Sequence, residues 1–406
     1  MVVKIKGNKL WVAVSFILVI VTIITSIVGI SSPKITTATK QGNKNPKLSH
    51  SKTSFENIRG VWVPYFSLET KKKNKEEFQN KFNSIIKTAK DNKINTLIVH
   101  IRPFSDALYK SDIFPTSHIV VETQGKKINY DPLKYMIEAS HKNGLKFHAW
   151  INPYRISTAD TPKKLAENSI INELNENDII EYNGGKYINP ASAKGRKLII
   201  DGVREIIENY NVDGIQFDDY FYPSSETELD KASYLEYKSN LDLECTPLDP
   251  YDWRMSNVNM LVSSVYSIIK HNNANILFGI SPQGNIDNCK DIGADIKTWC
   301  NTYGYVDYIC PQLYVNFEHS TLPFDTMLKQ WLDINKNSKV QLCVGLALYK
   351  ANSDYDQGTW KNSNSILKQQ VEYCKERNIN NFIIYHIDYF TNQDTATEVT
   401  NVVSVL

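Results

Sequence analysis

The sequence predicts a (β/α)8 barrel, and three features of the chain carry that prediction. Between residues 58 and 392, eight short apolar runs of strand length alternate with longer segments of helical periodicity, the order expected of strand–helix units wound into a parallel sheet. In successive runs one face of the two-residue alternation becomes polar toward the C-terminal end, while the other stays mostly Val, Ile, Leu and Phe. The two long connections, 153–189 and 220–256, leave the same end of the sheet as those polar residues.

The chain opens with Lys4, Lys6 and Lys9, followed by a run without charge over 11–30. At ~1.5 Å per helical residue that run can cross a hydrocarbon core ~30 Å thick, so it reads as a membrane span. The lysines ahead of it would hold the N-terminus in the cytoplasm and place the remainder outside the cell. Gly29-Ile30-Ser31 fits a small-x-small cleavage site poorly, which favours an uncleaved anchor over a removed signal; cleavage would make the protein secreted. With 1–30 as anchor, residues 31–57, rich in Ser, Thr, Lys and Asn, form a flexible tether.

The apolar runs occupy 58–64, 95–102, 145–152, 212–218, 276–281, 305–314, 339–346 and 381–388. Helical patterns over 76–92, 132–142, 191–210, 257–271 and 363–377 lie between them, each able to cover a strand-to-strand crossover. Asn189 is a natural cap for the third of these, with Pro190 at its first position. From the second run onward, the face predicted to point inward carries Ile98, His100 and Arg102; His148, Trp150 and Asn152; Gln216 and Asp218; Gly279 and Ser281; Cys310, Gln312 and Tyr314; Gln341, Cys343 and Gly345; Ile384, His386 and Asp388. An outer layer of helices requires the apolar face, and the inward face is free to become polar at the C-terminal mouth, where barrel active sites are built. A doubly wound open sheet also alternates strand and helix and is the competing fold, but no GxGxxG or GxxxxGK[ST] turn supports a nucleotide-binding version. The barrel thus occupies 58–392, leaves no room for a second large domain, and is followed by a C-terminal segment, 393–406.

Lys and Arg total 46 against 44 for Asp and Glu, so a net charge of +2 gives no electrostatic case for nucleic acid as a partner. The 23 Tyr, 7 Trp and 15 Phe suit stacking on sugar rings as well as a packed core. None of the six cysteines forms a CxxC pair, and no HxH or HExxH spacing is present, so neither a metal nor a cofactor is expected. Cys310 and Cys343 fall in apolar runs as small hydrophobes, whereas Cys289 and Cys300 share a loop-like region and could pair in an oxidising compartment. No GxSxG elbow points to a serine hydrolase.

The candidate chemistry gathers around Asp213-Gly214-Ile215-Gln216-Phe217-Asp218-Asp219-Tyr220. If Ile215 and Phe217 point to the helices, then Gln216, Asp218 and Tyr220 share the inward face, and only one of Asp218 and Asp219 can face the axis in a regular strand. Breaking a glycosidic bond needs a carboxylic acid to protonate the leaving oxygen and a second group to stabilise the oxocarbenium ion. Asp218 suits the acid role if Tyr220, Trp150 and Tyr314 crowd it and raise its pKa, with Asp219 orienting it or sharing its proton. The bland alternative is that the two aspartates cap the strand and bind the adjacent loop. Arg102 ends its strand as a bidentate donor that could pair with Asp106 or Asp218, or bind a substrate carboxylate. Asn152, Tyr154 and Arg155 lie at the same level, where Asn152 could hold a sugar hydroxyl or satisfy loop backbone. Gln312 and Tyr314 come from the sixth run, and His386 and Asp388 from the eighth. Asp388 is the distant carboxylate, or simply a loop salt bridge. His100 and His148 read as core histidines.

Six ordered blocks give the chain a family resemblance. They are Arg59-Gly60-Val61-Trp62; Arg102-Pro103 with Asp106-Ala107-Leu108-Tyr109-Lys110-Ser111 and Pro115; His148-Ala149-Trp150-Ile151-Asn152-Pro153-Tyr154-Arg155; Asp213-Gly214-Ile215 through Asp218-Asp219-Tyr220; Gly279-Ile280-Ser281-Pro282; and Pro311-Gln312-Leu313-Tyr314. Over residues 58 to about 390 the chain resembles the glycosyl-hydrolase-like family 10 proteins. That resemblance implies a barrel hydrolase of the bacterial envelope, and its better understood members cut peptidoglycan glycan strands stripped of peptide. The fourth block is also similar in register to the chitinase-type signature DGxDxDxE, with Asp218 on its last aspartate and Tyr220 where its glutamate would stand. Substrate-assisted catalysis by an N-acetyl group is therefore compatible with Asp218 as acid but does not transfer whole. Val315 stands where the family often has Trp. The expectation is a membrane-tethered, extracellular glycoside hydrolase acting on a wall glycan polymer, with a non-catalytic glycan-binding module, or a hydrolase of another surface polysaccharide, as the alternative.

Overall fold

The structure, a computed structural model, describes residues 57–406 except Ser338. The expected membrane span and tether lie outside these residues. Among the described residues no helix is long and apolar enough to cross a membrane.

Twelve strands form among the described residues: β1 (Arg59–Val63), β2 (Thr96–Arg102), β3 (Lys146–Ile151), β4 (Arg155–Ser157), β5 (Ile179–Tyr182), β6 (Gly185–Ile188), β7 (Gly214–Phe217), β8 (Leu277–Ile280), β9 (Tyr308–Ile309), β10 (Gln341–Leu342), β11 (Val344–Ala347) and β12 (Phe382–Tyr385). Nine of them make one parallel sheet in the order β10-β9-β8-β7-β3-β2-β1-β12-β11. Its two edges, β10 and β11, are consecutive in the chain and separated only by Cys343. The Cys343 N–H donates to Ile309 on one side (2.8 Å), and the Val344 N–H donates to Asn381 on the other (2.8 Å). The ring closes there, so nine strand segments fill the eight positions of a (β/α)8-type barrel. The competing open sheet is thereby replaced by a closed one. The remaining strands, β4, β6 and β5, form a small antiparallel sheet in the long connection after β3.

The helices are α1 (Lys75–Asp91), α2 (Pro132–Lys142), α3 (Ala193–Asn209), α4 (Lys231–Ser239), α5 (Pro250–Asn272), α6 (Ile286–Asp291), α7 (Ile296–Asn301), α8 (Phe324–Ile334), α9 (Ile366–Lys375) and α10 (Ala396–Val405). Their starts follow capping chemistry: Asn74 accepts from the Glu77 N–H, and Asp131 accepts from the Lys134 N–H with Pro132 next to it. The cap expected at Asn189 is displaced. Ser192 accepts from the Gly195 N–H and starts α3, while Asn189 accepts from the Ala191 N–H and stays in the preceding turn. The C-terminal segment 393–406 supplies α10, which covers the eighth barrel position. On α10, Glu398 accepts from the Ile366 and Leu367 N–H groups and so caps α9, and Val402 is fully buried. All six cysteines are free thiols, and Cys289 donates to the Gln283 and Asn285 carbonyls instead of bonding Cys300.

Two apolar layers result. The outer one packs helices on strands and includes Val61, Leu97, Ile101, Ile151, Ile215, Phe217 and Ile384. The inner one fills the barrel with Ile58, Trp62, Ile98, Trp150, Tyr308, Cys310, Cys343 and Ile383. The sequence parity holds for the third to seventh positions and fails at two places. A bulge between His100 and Arg102 puts Arg102 opposite Ile151, so it turns to the outer layer. In β12 the inward residues are Ile383 and Tyr385 rather than Ile384 and His386, a slip of one residue.

Candidate active site

The barrel axis carries a ladder of polar groups below the mouth. Trp62 Nε1 donates to Gln216 Oε1 (2.6 Å), Gln216 Nε2 donates to the Tyr308 hydroxyl (3.1 Å), and His148 Nδ1 lies 3.0 Å from that hydroxyl. Most buried polar side chains are paired in this way, and these pairings tie β1, β3, β7 and β9 together across the axis. Gln216 is inward, so Asp218, two residues on, is inward as well.

Asp218 is 2% exposed. Its Oδ2 accepts from Trp150 Nε1 (2.9 Å) and from Asn152 Nδ2 (3.2 Å), and its Oδ1, also buried, has no partner. Burial first and the neighbouring Asp219 charge second push its pKa up to about 7, against the pull of Arg155 and the Trp150 hydrogen bond. The carboxyl is therefore poised to hold a proton near neutral pH, and Oδ1 is the oxygen free to carry it.

Strand β7 ends at Phe217, which releases Asp219 from strict alternation, so both carboxyls approach the mouth instead of only one. Asp219 Oδ1 accepts from Gln312 Nε2 (3.0 Å), whose amide also donates to the Ser281 carbonyl (3.0 Å). Burial raises the Asp219 pKa, with the Gln312 hydrogen bond opposing it. Asp218 thus leans toward β3 and Asp219 toward the turn after β8 and β9. Tyr220 is half exposed on the rim, and the Arg155 guanidinium lies between its ring (5.3 Å) and that of Phe104 (5.0 Å).

The other residues singled out in the sequence divide. Asn152 reaches Asp218, and its Oδ1 accepts from the Tyr154 and Arg155 N–H groups, so at 1% exposure it ties Asp218 to the turn after β3. Tyr314 is in the wall, edge-on to Trp62 and packed against Tyr385 and Tyr349. His386 and Asp388 lie at the rim between the first and eighth positions, where Asp388 accepts from Ser67 Oγ (2.6 Å) and His386 meets Phe66 and Tyr389 edge-on. Arg102, Asp106 and Tyr154 do not join the site. Arg102 is buried beneath α3 over the Phe114 ring (4.6 Å), and no ion pair links it to Asp106 or Asp218. Gly202 makes room for it: a Cβ there would lie 2.1 Å from Arg102 Nη1. Asp106 is fully buried, accepting from Gln124 Nε2 (3.0 Å) with His118 Nδ1 at 3.2 Å, and braces the loop after β2. Tyr154 packs against Phe221 in the outer layer.

Four residues went unread for what the structure shows: Tyr385 and Tyr349 in the aromatic wall, Trp62 in the ladder below it, and His100, which was read as a hydrogen-bonded core histidine. Tyr385 was hidden by the parity slip, whereas Trp62 sits in a strand whose inward face was left unassigned. His100 stacks on Trp150 with centroids 3.7 Å apart and both ring nitrogens lack partners; burial, and then Arg155, hold its pKa well below the usual range. Two open clefts, of about 670 and 570 Å³, lie at the opposite end near Lys93 and Leu406, the end of such barrels that serves stability. Among the described residues no cluster of His, Cys, Asp or Glu is arranged to hold a metal ion.

A closed parallel barrel with two adjacent carboxyls at its C-terminal mouth, an aromatic wall beside them and donors fixing each, is a glycosidase-like barrel. The chain belongs to the glycosyl hydrolase-like 10 family, whose sequence model matches residues 57–363. Glycosyl hydrolase YngK of Bacillus subtilis (strain 168) is 34% identical over 300 residues, covering 68% of this chain and 56% of that protein. Glycosyl hydrolase DigH of Escherichia coli (strain K12) is 30% identical over 335 residues, 75% of each. The chain therefore spans little more than half the length of the first relative and three-quarters of the second. Among solved structures, the PgaB (BpsB) glycoside hydrolase domain from Bordetella bronchiseptica superposes with a TM-score of 0.56 at 12% identity, over 86% of this chain and 99% of that one. A β-galactosidase from the psychrophilic Marinomonas ef1 gives 0.54 at 10% identity, over 85% of this chain and 58% of that one. At such identity these two share the fold alone.

Proposed function

We propose that this protein is a membrane-tethered extracellular glycoside hydrolase that cleaves N-acetylated wall glycan, the peptide-free glycan strand of peptidoglycan being its substrate. The observation that carries the reading is Asp218. Two donors hold one oxygen, the other has no partner, and its pKa of about 7 keeps the proton available in the range where a general acid works best. Asp218 passes that proton to the leaving glycosidic oxygen as the C–O bond breaks. The positive charge left on the sugar is stabilised by Asp219 or by the substrate's own acetamido oxygen, and ionised Asp218 then takes a proton from the attacking water. Gln312 fixes Asp219 for this task. Family membership supports hydrolysis of a glycosidic bond, and the charge-free run at 11–30 behind three lysines supports the tether and the outside location.

The test is mass analysis of products from peptide-free and peptide-bearing wall glycan. The reading expects defined oligosaccharides from the peptide-free strand, none with Asp218→Asn, and a large loss with Asp219→Asn. Glycan that binds but never yields new reducing ends would establish a binding module instead.

A further inference from the structure

Arg155 is the charged residue of the mouth that the reaction does not use. Its root is fixed twice: the Asn152 side chain accepts from its backbone N–H (2.9 Å), and β4 begins with it, paired to Tyr187 of β6. Its stem is fixed as well, because Nε donates to the Pro103 carbonyl (2.9 Å) and the rings of Phe104 and Tyr220 flank the guanidinium. The two terminal nitrogens make no hydrogen bond or ion pair among the described residues.

The placement opposes the acid chemistry beside it. A cation near Asp218 and Asp219 favours their ionised forms, and Arg155 pulls on both from a distance without a hydrogen bond or ion pair to either. A rigid fork whose Nη1/Nη2 edge is free, held half open beside a pair of acids, is a receptor for a planar anion delivered from outside. Such an anion would also offset the positive charge and favour the protonated acid when substrate is in place.

We infer that Arg155 binds a free carboxylate on the sugar next to the cleaved bond, and so makes the site selective for glycan whose acid groups are unsubstituted. This rests on the hydrolase reading above and gives it a physical basis for preferring peptide-free strands. In peptide-free wall glycan every second sugar carries a free lactyl carboxylate, whereas peptide converts that group to a neutral amide that offers the fork only one oxygen.

The experiment compares peptide-free wall glycan with the same glycan after methyl esterification of its carboxyls, using the full chain and its Arg155→Gln and Arg155→Lys variants. Wild type is expected to prefer the free acid by about tenfold or more in kcat/KM, the scale of a charge-assisted hydrogen-bonded pair. Arg155→Gln brings the ratio close to one, and Arg155→Lys, with charge but no fork, gives an intermediate ratio. The ratio, rather than the rate, is the readout, since a merely structural loss would lower both substrates alike. The same ratio is read as equilibrium binding to the Asp218→Asn variant with and without Arg155→Gln. Equal use of acid and ester by wild type, or a preference that survives Arg155→Gln, overturns the inference and leaves the hydrolase reading standing. Absence of cleavage of either glycan overturns the hydrolase reading, and the binding ratio then decides the carboxylate contact by itself.

Discussion

A carboxyl held protonated in a buried site costs stability once it must ionise, and Asp218 shows this cost most plainly. Its folded pKa of about 7 lies above the ~3.9 of an unfolded Asp, so the folded state binds the proton more tightly. Its contribution is fully present below pH ~4 and is lost as pH rises through 7, by up to ~4 kcal/mol on that difference. Asp218→Asn is therefore expected to raise the melting temperature at pH 7.5, where the native side chain ionises, and to change it little at pH 4; thermal melts at the two pH values check this. A second prediction concerns Asp219, whose charge helps to lift Asp218: Asp219→Asn should move the alkaline limb of the remaining activity to lower pH. At this scale the sequence was legible where alternation is regular. Gln216 and Asp218 share a face because β7 runs without a bulge up to Phe217 and Asp218 follows it directly, but Arg102 left its face through a bulge that no residue type announces. The carboxylate-binding role considered for Arg102 is the one proposed above for Arg155, three residues past Asn152 in the turn after β3.

Elements are fixed by contacts that a local pattern partly reveals. The outer helix α8 carries Phe324, Met327, Leu328 and Trp331 buried at helical spacing, a signal present in the sequence but not read as a helix. The seventh strand breaks at Cys343 into one piece for each neighbour, a division set by ring closure and invisible to local propensity. Helix α3 starts at Ser192 rather than Asn189 because the chain first turns through Asn189 and Pro190, so two plausible caps three residues apart were resolved by tertiary packing. Two stability predictions follow from element contacts. Glu398→Ala removes the acceptor of two buried N–H groups at the start of α9 and should cost ~2–3 kcal/mol in chemical denaturation, with Glu398→Gln milder because it retains an acceptor. Gly202→Ala would drive a methyl against Arg102 and Phe114 and should cost ~1–3 kcal/mol by overpacking.

At the scale of the whole molecule, the alternation of strands and helices was enough to foresee a parallel sheet covered by helices, an arrangement that a barrel and a doubly wound sheet share; ring closure at Cys343 decides for the barrel. The extent of the barrel was less legible: α10 lies beyond residue 392 and becomes part of the unit through Glu398 and Val402. The proposed tether predicts that the full chain sediments with membranes, while a chain beginning at Asn57 stays in the supernatant with its fold retained. The central claim is that Asp218 donates a proton to a glycosidic oxygen. It is tested most directly by the release of reducing ends from peptide-free wall glycan, measured across pH for wild type and Asp218→Asn. The account predicts release by wild type that declines above pH ~7, as expected when a general acid of that pKa ionises, and none by the variant. Release by Asp218→Asn at the wild-type rate would contradict it.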